Sequence, residues 1–90
     1  MEESKQDTFS KLVRVLQVNF IDEEKISRPK EEITRKTRLY EDLGMDSFDQ
    51  AEYLFSVEEV CGIKIPEQKA YKFAELGDWE RYIETHPRNG

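Results

Sequence analysis

The chain has 90 residues and a mass of 10.7 kDa, the size of one small domain, which excludes an enzyme with a cleft between two lobes. Its 14 basic and 20 acidic side chains give a net charge of −6 and a pI near 4.8. That balance excludes nucleic-acid binding by phosphate neutralisation and attraction to an anionic membrane surface. The composition is 37% hydrophobic and 38% charged, but five Phe, four Tyr and one Trp are too many aromatics for a disordered tail, so a small core is expected.

The chain reads as a single domain over 1–90, with an ordered core over about 8–85. Met1-Glu2-Glu3-Ser4-Lys5 shows neither a basic n-region nor an apolar h-region. No apolar run approaches the roughly 20 residues that span a bilayer. A lone cysteine, Cys61, offers no internal disulfide. The expectation is a soluble cytoplasmic monomer with no stable membrane association.

The first periodic stretch runs from Thr8 to Phe20. Phe9, Leu12, Val13, Leu16 and Phe20 recur at three- and four-residue steps on one helix face, Val15 and Val18 widen it, and Asp7 or Thr8 can cap it. From Ile21 to Met45 the chain is polar and is broken by Pro29, with isolated apolar residues at Ile26, Ile33, Leu39 and Leu43. This predicts a long ordered connection pinned by a few anchors, a kind of loop that often carries function. A second helix is predicted from Asp46-Ser47 to Cys61, bounded by Gly44 and Gly62. Ile63-Lys64-Ile65-Pro66 is an extended link, Glu67 to Phe73 a short third helix, and Leu76, Trp79 and Ile83 mark a last helix with Asp78 in its first turn. Residues 86–90 are expected to fray. The fold class is therefore all-α: three longer helices and one short one, with a long loop between the first two.

Charge is uneven along this chain. Residues 24–38 carry +3, residues 39–63 carry −7 with no basic group, and residues 64–90 are neutral. A charge run is usually a solvated face. On a helical wheel, Tyr53, Leu54, Val57 and Cys61 share one arc, the natural core side. Phe48, Glu52, Phe55 and Glu59 share another, well away from it. Aromatics ringed by acids fit a docking surface, although both Phe side chains could instead pack on the long loop or the third helix.

Ser47 begins the second helix in Gly44-Met45-Asp46-Ser47-Phe48-Asp49-Gln50. Ser-x-x-Gln reads as a capping box, and Asp46 is itself a good cap. A nucleophilic serine would need a base, and the single histidine, His86, stands near the end beside Pro87. No Gly-x-Ser-x-Gly elbow is present, so hydrolase chemistry is not expected. Cys61 reads as a small buried hydrophobe. The acids lack an Asp-x-Asp-x-Asp-Gly loop, so no metal is expected.

Leu39-Tyr40-Glu41-Asp42-Leu43-Gly44-Met45-Asp46-Ser47-Phe48-Asp49 resembles the signature of the acyl carrier proteins, in which Asp-Ser-Leu follows an acidic-Leu-Gly segment. Glu58-Glu59, Gly62-Ile63-Lys64-Ile65-Pro66 and Gly77-Asp78-Trp79-Glu80-Arg81-Tyr82-Ile83 continue the resemblance, which covers about residues 8 to 85. It implies a four-helix bundle of the acyl carrier type with 4′-phosphopantetheine on Ser47, beside Asp46. Its thiol would hold acyl groups as thioesters, so the chain would be a substrate of enzymes and not an enzyme. Phosphate at a helix N-terminus is electrostatically sensible, although Asp46 and Asp49 oppose it. The resemblance also implies docking through Asp46, Asp49, Glu52, Glu58 and Glu59, with Phe48 and Phe55 as apolar companions. The implied partners are a phosphopantetheinyl transferase and acyl- or aminoacyl-loading and acyl-transfer enzymes with basic patches.

Phe48 after the serine, Cys61, Tyr53, Phe55, Glu80 and the basic 24–38 segment depart from the common pattern and favour a specialised carrier in fatty-acid, lipid or polyketide-type synthesis. A D-alanyl or peptidyl carrier is the alternative, although the Gly-Gly frequent before a peptidyl carrier's serine is absent. A four-helix interaction module that never receives the arm is the alternative of another class.

Overall fold

The computed structural model describes residues 7–86. Four α-helices form its frame: α1 (Thr8–Leu16), α2 (Ser47–Cys61), α3 (Glu67–Ala70) and α4 (Leu76–Thr85). No strand occurs among the described residues. α1 packs against both α2 and α4 and is the centre of the bundle.

α1 starts where the Asp7 carboxylate accepts the Ser10 N–H at 2.8 Å. That bond holds the Asp7 carboxyl below its ordinary pKa. The α-helix ends at Leu16, short of the predicted Phe20, and passes into a π-helical turn over Gln17–Ile21. In this turn Phe20 is fully buried and Val18 is half exposed, against its expected place on the core stripe. Phe9, also expected in the core, is only partly buried.

The long connection is ordered as its anchors foretold: Ile26, Ile33, Leu39 and Leu43 are all buried, and a 3₁₀ turn, Lys30–Glu32, follows Pro29. The stretch just after this turn cradles the start of α4. The Leu76 and Gly77 N–H groups, which have no partner inside their own helix, donate to the carbonyls of Thr37 (2.9 Å) and Arg35 (2.8 Å). A Cβ on residue 77 would lie 3.2 Å from the Arg35 carbonyl oxygen, so glycine permits this approach. The Arg35 guanidinium then grips Glu80 through two bonds of 2.7 and 3.1 Å and stacks over the Phe9 ring at 4.5 Å. Glu80, a departure from the pattern of the resemblance, thereby has a partner in this fold.

The wheel of α2 holds: Tyr53, Leu54, Val57 and Cys61 face the core. Tyr53 is fully buried, and its hydroxyl donates to the Leu12 carbonyl at 3.0 Å. Burial pushes its phenol well above the ordinary value, so it stays protonated. Its ring meets Phe20 (6.2 Å) and Trp79 (5.0 Å) edge-on, and Trp79 continues to Phe73 (5.2 Å). α3 is shorter than predicted, ending at Ala70 rather than Phe73. At the C-terminal end His86 is anchored rather than frayed: its ring stacks on Tyr82 at 3.9 Å, with Nδ1 2.9 Å from the Tyr82 carbonyl oxygen. The rest of the expected frayed tail, residues 87–90, lies outside the described residues.

Candidate functional site

The approach to α2 is a tight backbone turn. Asp42 and Leu43 N–H groups return to the Arg38 carbonyl (3.0 and 3.2 Å), Gly44 N–H to Tyr40 (2.9 Å) and Met45 N–H to Leu39 (3.0 Å). Gly44 has φ +71°, where a side chain is disfavoured, although a Cβ would meet nothing within 4 Å. The Asp42 carboxylate fastens the turn by accepting the Arg38 N–H at 2.8 Å. Met45 then drops into the core, fully buried, with its carbonyl held by Gln50 Nε2 at 2.9 Å. The approach to Ser47 is thus fixed by the backbone as far as Met45, a core residue that periodicity could not find, since it lies outside α1 and α2.

Asp46 caps α2. Its carboxylate accepts the Asp49 N–H at 2.9 Å, and the Asp49 carboxylate accepts the Asp46 N–H at 3.3 Å. The capping box is therefore Asp46–Asp49, and Ser47 is relieved of the capping role its Ser-x-x-Gln spacing allowed. Ser47 is the first helical residue, exposed, and its hydroxyl makes no hydrogen bond among the described residues. The Asp49 and Gln50 N–H groups are taken by Asp46 (the latter by its carbonyl at 2.9 Å), whereas the amides of Ser47 and Phe48 have no acceptor inside the helix. An exposed, unengaged hydroxyl beside free helix-terminal amides suits a phosphodiester. The two acids that would oppose it are each tied to a backbone N–H.

Along α2 the predicted outward stripe is outward: Phe48 is 85% exposed and Phe55 61%, with Glu52 and Glu59 exposed between and beyond them. Neither Phe packs on the loop or on α3. The acids differ among themselves. Glu58 accepts the Ile65 N–H at 2.7 Å and so anchors the link to α3. Glu52 pairs with Lys25 at 3.5 Å. Glu59 has no ion pair or side-chain hydrogen bond among the described residues. Sequence reasoning missed Lys25, which lies 27 residues away from its partner. No group of acids, Cys and His that could hold a metal occurs among the described residues.

The family described as "Phosphopantetheine attachment site" matches residues 14–83. A protein of Lactobacillus acidophilus named acyl carrier protein is 31% identical over 83 residues, which is 92% of this chain and 96% of that protein. The chain belongs to the acyl carrier protein family. Other relatives of the same name come from Wolinella succinogenes, 45% identical over 56 residues (62% of this chain, 74% of the relative), and Borreliella burgdorferi, 39% over 66 residues (73% and 82%). The prosthetic group of the family is 4′-phosphopantetheine. Acyl carrier proteins are carriers rather than catalysts, and they interact with synthesis and transferase enzymes. No described helix is long and apolar enough to cross a membrane.

Proposed function

We propose that Ser47 is the residue to which 4′-phosphopantetheine is attached, and that the chain acts as a non-catalytic acyl carrier delivering its load to partner enzymes. The supporting observation is the Ser47 hydroxyl itself: exposed at the first position of α2 and left unengaged because Asp46 and Asp49 cap the helix between them. When bound, the arm supplies a thiol that holds an acyl group as a thioester. The chain's own residues do the rest. Gly44, Asp42 and buried Met45 fix the backbone that presents Ser47. The Ser47 and Phe48 amides offer two donors for the phosphate. Phe48, Phe55, Glu59 and, behind its ion pair, Glu52 form the face that partners meet.

The reading extends to a specialised carrier in fatty-acid, lipid or polyketide-type synthesis acting in the cytoplasm; the exposed Phe48 and Phe55 support the specialisation. Incubation with a phosphopantetheinyl transferase and coenzyme A, read by intact mass, tests the assignment. The wild type should gain one arm, and Ser47→Ala should gain none. A wild type that is never modified, or an Ala variant that still is, removes the reading. The first of these outcomes leaves an interaction module.

A further inference from the structure

The basic segment holds one residue aimed at the docking face. After the π-helical turn the chain reverses at Glu24, whose φ is +63°, a strained backbone for a residue with a side chain. Among the described residues it is the one non-glycine position with positive φ. The reversal is held on both sides: Glu24 N–H donates to Ile21 (3.0 Å), Lys25 N–H to Phe20 (2.8 Å), and Ile26 next to it is buried. The backbone at Lys25 is therefore held in place, and its side chain reaches α2. Its Nζ lies 5.6 Å from the centre of the Phe20 ring and 3.5 Å from Glu52 Oε1. Glu52 sits in the middle of the outward stripe, four residues after Phe48 and three before Phe55.

We propose that Lys25 is a specificity-determining residue: a built-in counter-ion that occupies Glu52 and that a partner's basic group must displace on docking. The inference rests on the reading of α2 as the docking face. A strained turn that delivers a cation to the centre of that face lowers the charge it shows, and so favours partners that grip the aromatics over those that only match charge. The pair is exposed, 43% and 52% for the two side chains, so displacement is easy and the effect is one of selection rather than of blockade.

The test is the initial rate of arm transfer onto Ser47 by a phosphopantetheinyl transferase, read by mass, for Lys25→Gln, Glu52→Gln, the double variant and Lys30→Gln. Exposed pairs couple by about 0.2–1 kcal/mol, or roughly 1.4- to fivefold. Lys25→Gln should raise the rate by about two- to fivefold and steepen its fall with salt, while Lys30→Gln, elsewhere in the basic segment, should change it by less than about 1.5-fold. Glu52→Gln should slow transfer more in the Lys25→Gln background than in the wild type. Equal gains from Lys25→Gln and Lys30→Gln, with Glu52→Gln acting alike in both backgrounds, would leave net charge as the whole effect and overturn the proposal. A loss of rate in Lys25→Gln would overturn it too, by making Lys25 a direct contact. A wild type that takes no arm removes the carrier reading and this inference together. A wild type that takes it at a rate indifferent to the pair removes this inference alone.

Discussion

The basic stretch of the connection, residues 24–38, carries +3, the stretch that follows it through α2, residues 39–63, carries −7, and the two use their charge differently. In the connection, Arg35 clasps Glu80, Arg28 meets Glu32 and the Asp42 carbonyl, Arg38 meets Asp42 and Glu41, and Lys25 meets Glu52. Around α2, Asp46 and Asp49 close the capping box, Glu52 meets Lys25 and Glu58 holds the Ile65 N–H, while Glu59 on the outer face has no partner among the described residues. The basic residues of a loop are thus mostly internal fasteners, which lets an irregular segment be rigid. The regular helix needs no such help, because its inner face is apolar, so its outer face is left for contact. The sign of a charge run says little about its use; whether the segment has an apolar face of its own says more.

Removing the apolar support of α2 should have the largest effect. Leu54→Ala opens the core under the docking helix and should cost about 2–5 kcal/mol, read by denaturant unfolding. That is a large fraction of the stability of so small a domain. Next comes the polar support of the connection. Thr37 is buried, and its Oγ1 accepts the Thr34 N–H at 2.8 Å. Thr37→Val keeps the shape but orphans that donor and should cost about 1–2 kcal/mol by the same measurement. A Thr37→Val variant as stable as the wild type would mean that water reaches the turn, and that the connection is looser than its hydrogen bonds indicate.

The outcome at α2 was legible because its signals are local. Gly44 and Gly62, read as the bounds of the helix, both adopt a left-handed backbone, φ +71° and +70°, and the helix between them has the predicted inner arc. The isolated apolar residues of the connection were legible as anchors for a related reason: each is a lone Ile or Leu with no helix to serve. The partners of Arg35, Glu58 and Lys25 were not legible. A salt bridge across 45 residues leaves no periodic trace, and Glu58 looks like Glu59 until the chain after Gly62 returns a backbone N–H to it. The π-helical turn after Leu16 was hidden too, since its apolar residues continue a helical spacing while the hydrogen bonds shift from four residues to five.

A smaller effect, tied to pH, should appear at the junction with α4. The Asp78 carboxylate accepts the N–H groups of Ala74 (2.8 Å) and Glu75 (3.0 Å) and meets Arg81 at 3.3 Å. Partial burial pulls its carboxyl upward, but the Glu75 and Ala74 amides and the Arg81 guanidinium outweigh that and hold it below the ordinary value. A depressed folded-state pKa stabilises the ionised form. The contribution is present above the unfolded value of about 3.9 and is lost as pH falls through the lower folded one. Asp78→Ala should therefore cost about 0.5–2 kcal/mol at neutral pH. The gap to the wild type should close below about pH 4, as followed by thermal unfolding across pH.

The smallest change in stability should come from the outer face, and there the comparison becomes a question of binding. Glu59 is exposed, without a partner among the described residues, and four residues beyond Phe55, so Glu59→Lys should shift stability by less than about 0.5 kcal/mol. If α2 is the docking face, the same change should slow arm transfer onto Ser47 by about three- to tenfold at low salt, since it sets a like charge against a basic partner. Added salt should narrow the gap, because exposed charges are screened beyond about 8 Å at physiological ionic strength. Glu52→Lys, made beside the cation of Lys25, would mix loss of the ion pair with loss of docking charge; Glu59→Lys is the cleaner probe because nothing inside the described chain answers it. A rate that ignores the reversal at every salt concentration would show that Glu59 is only solvated, and that contact on this face rests with Phe48 and Phe55.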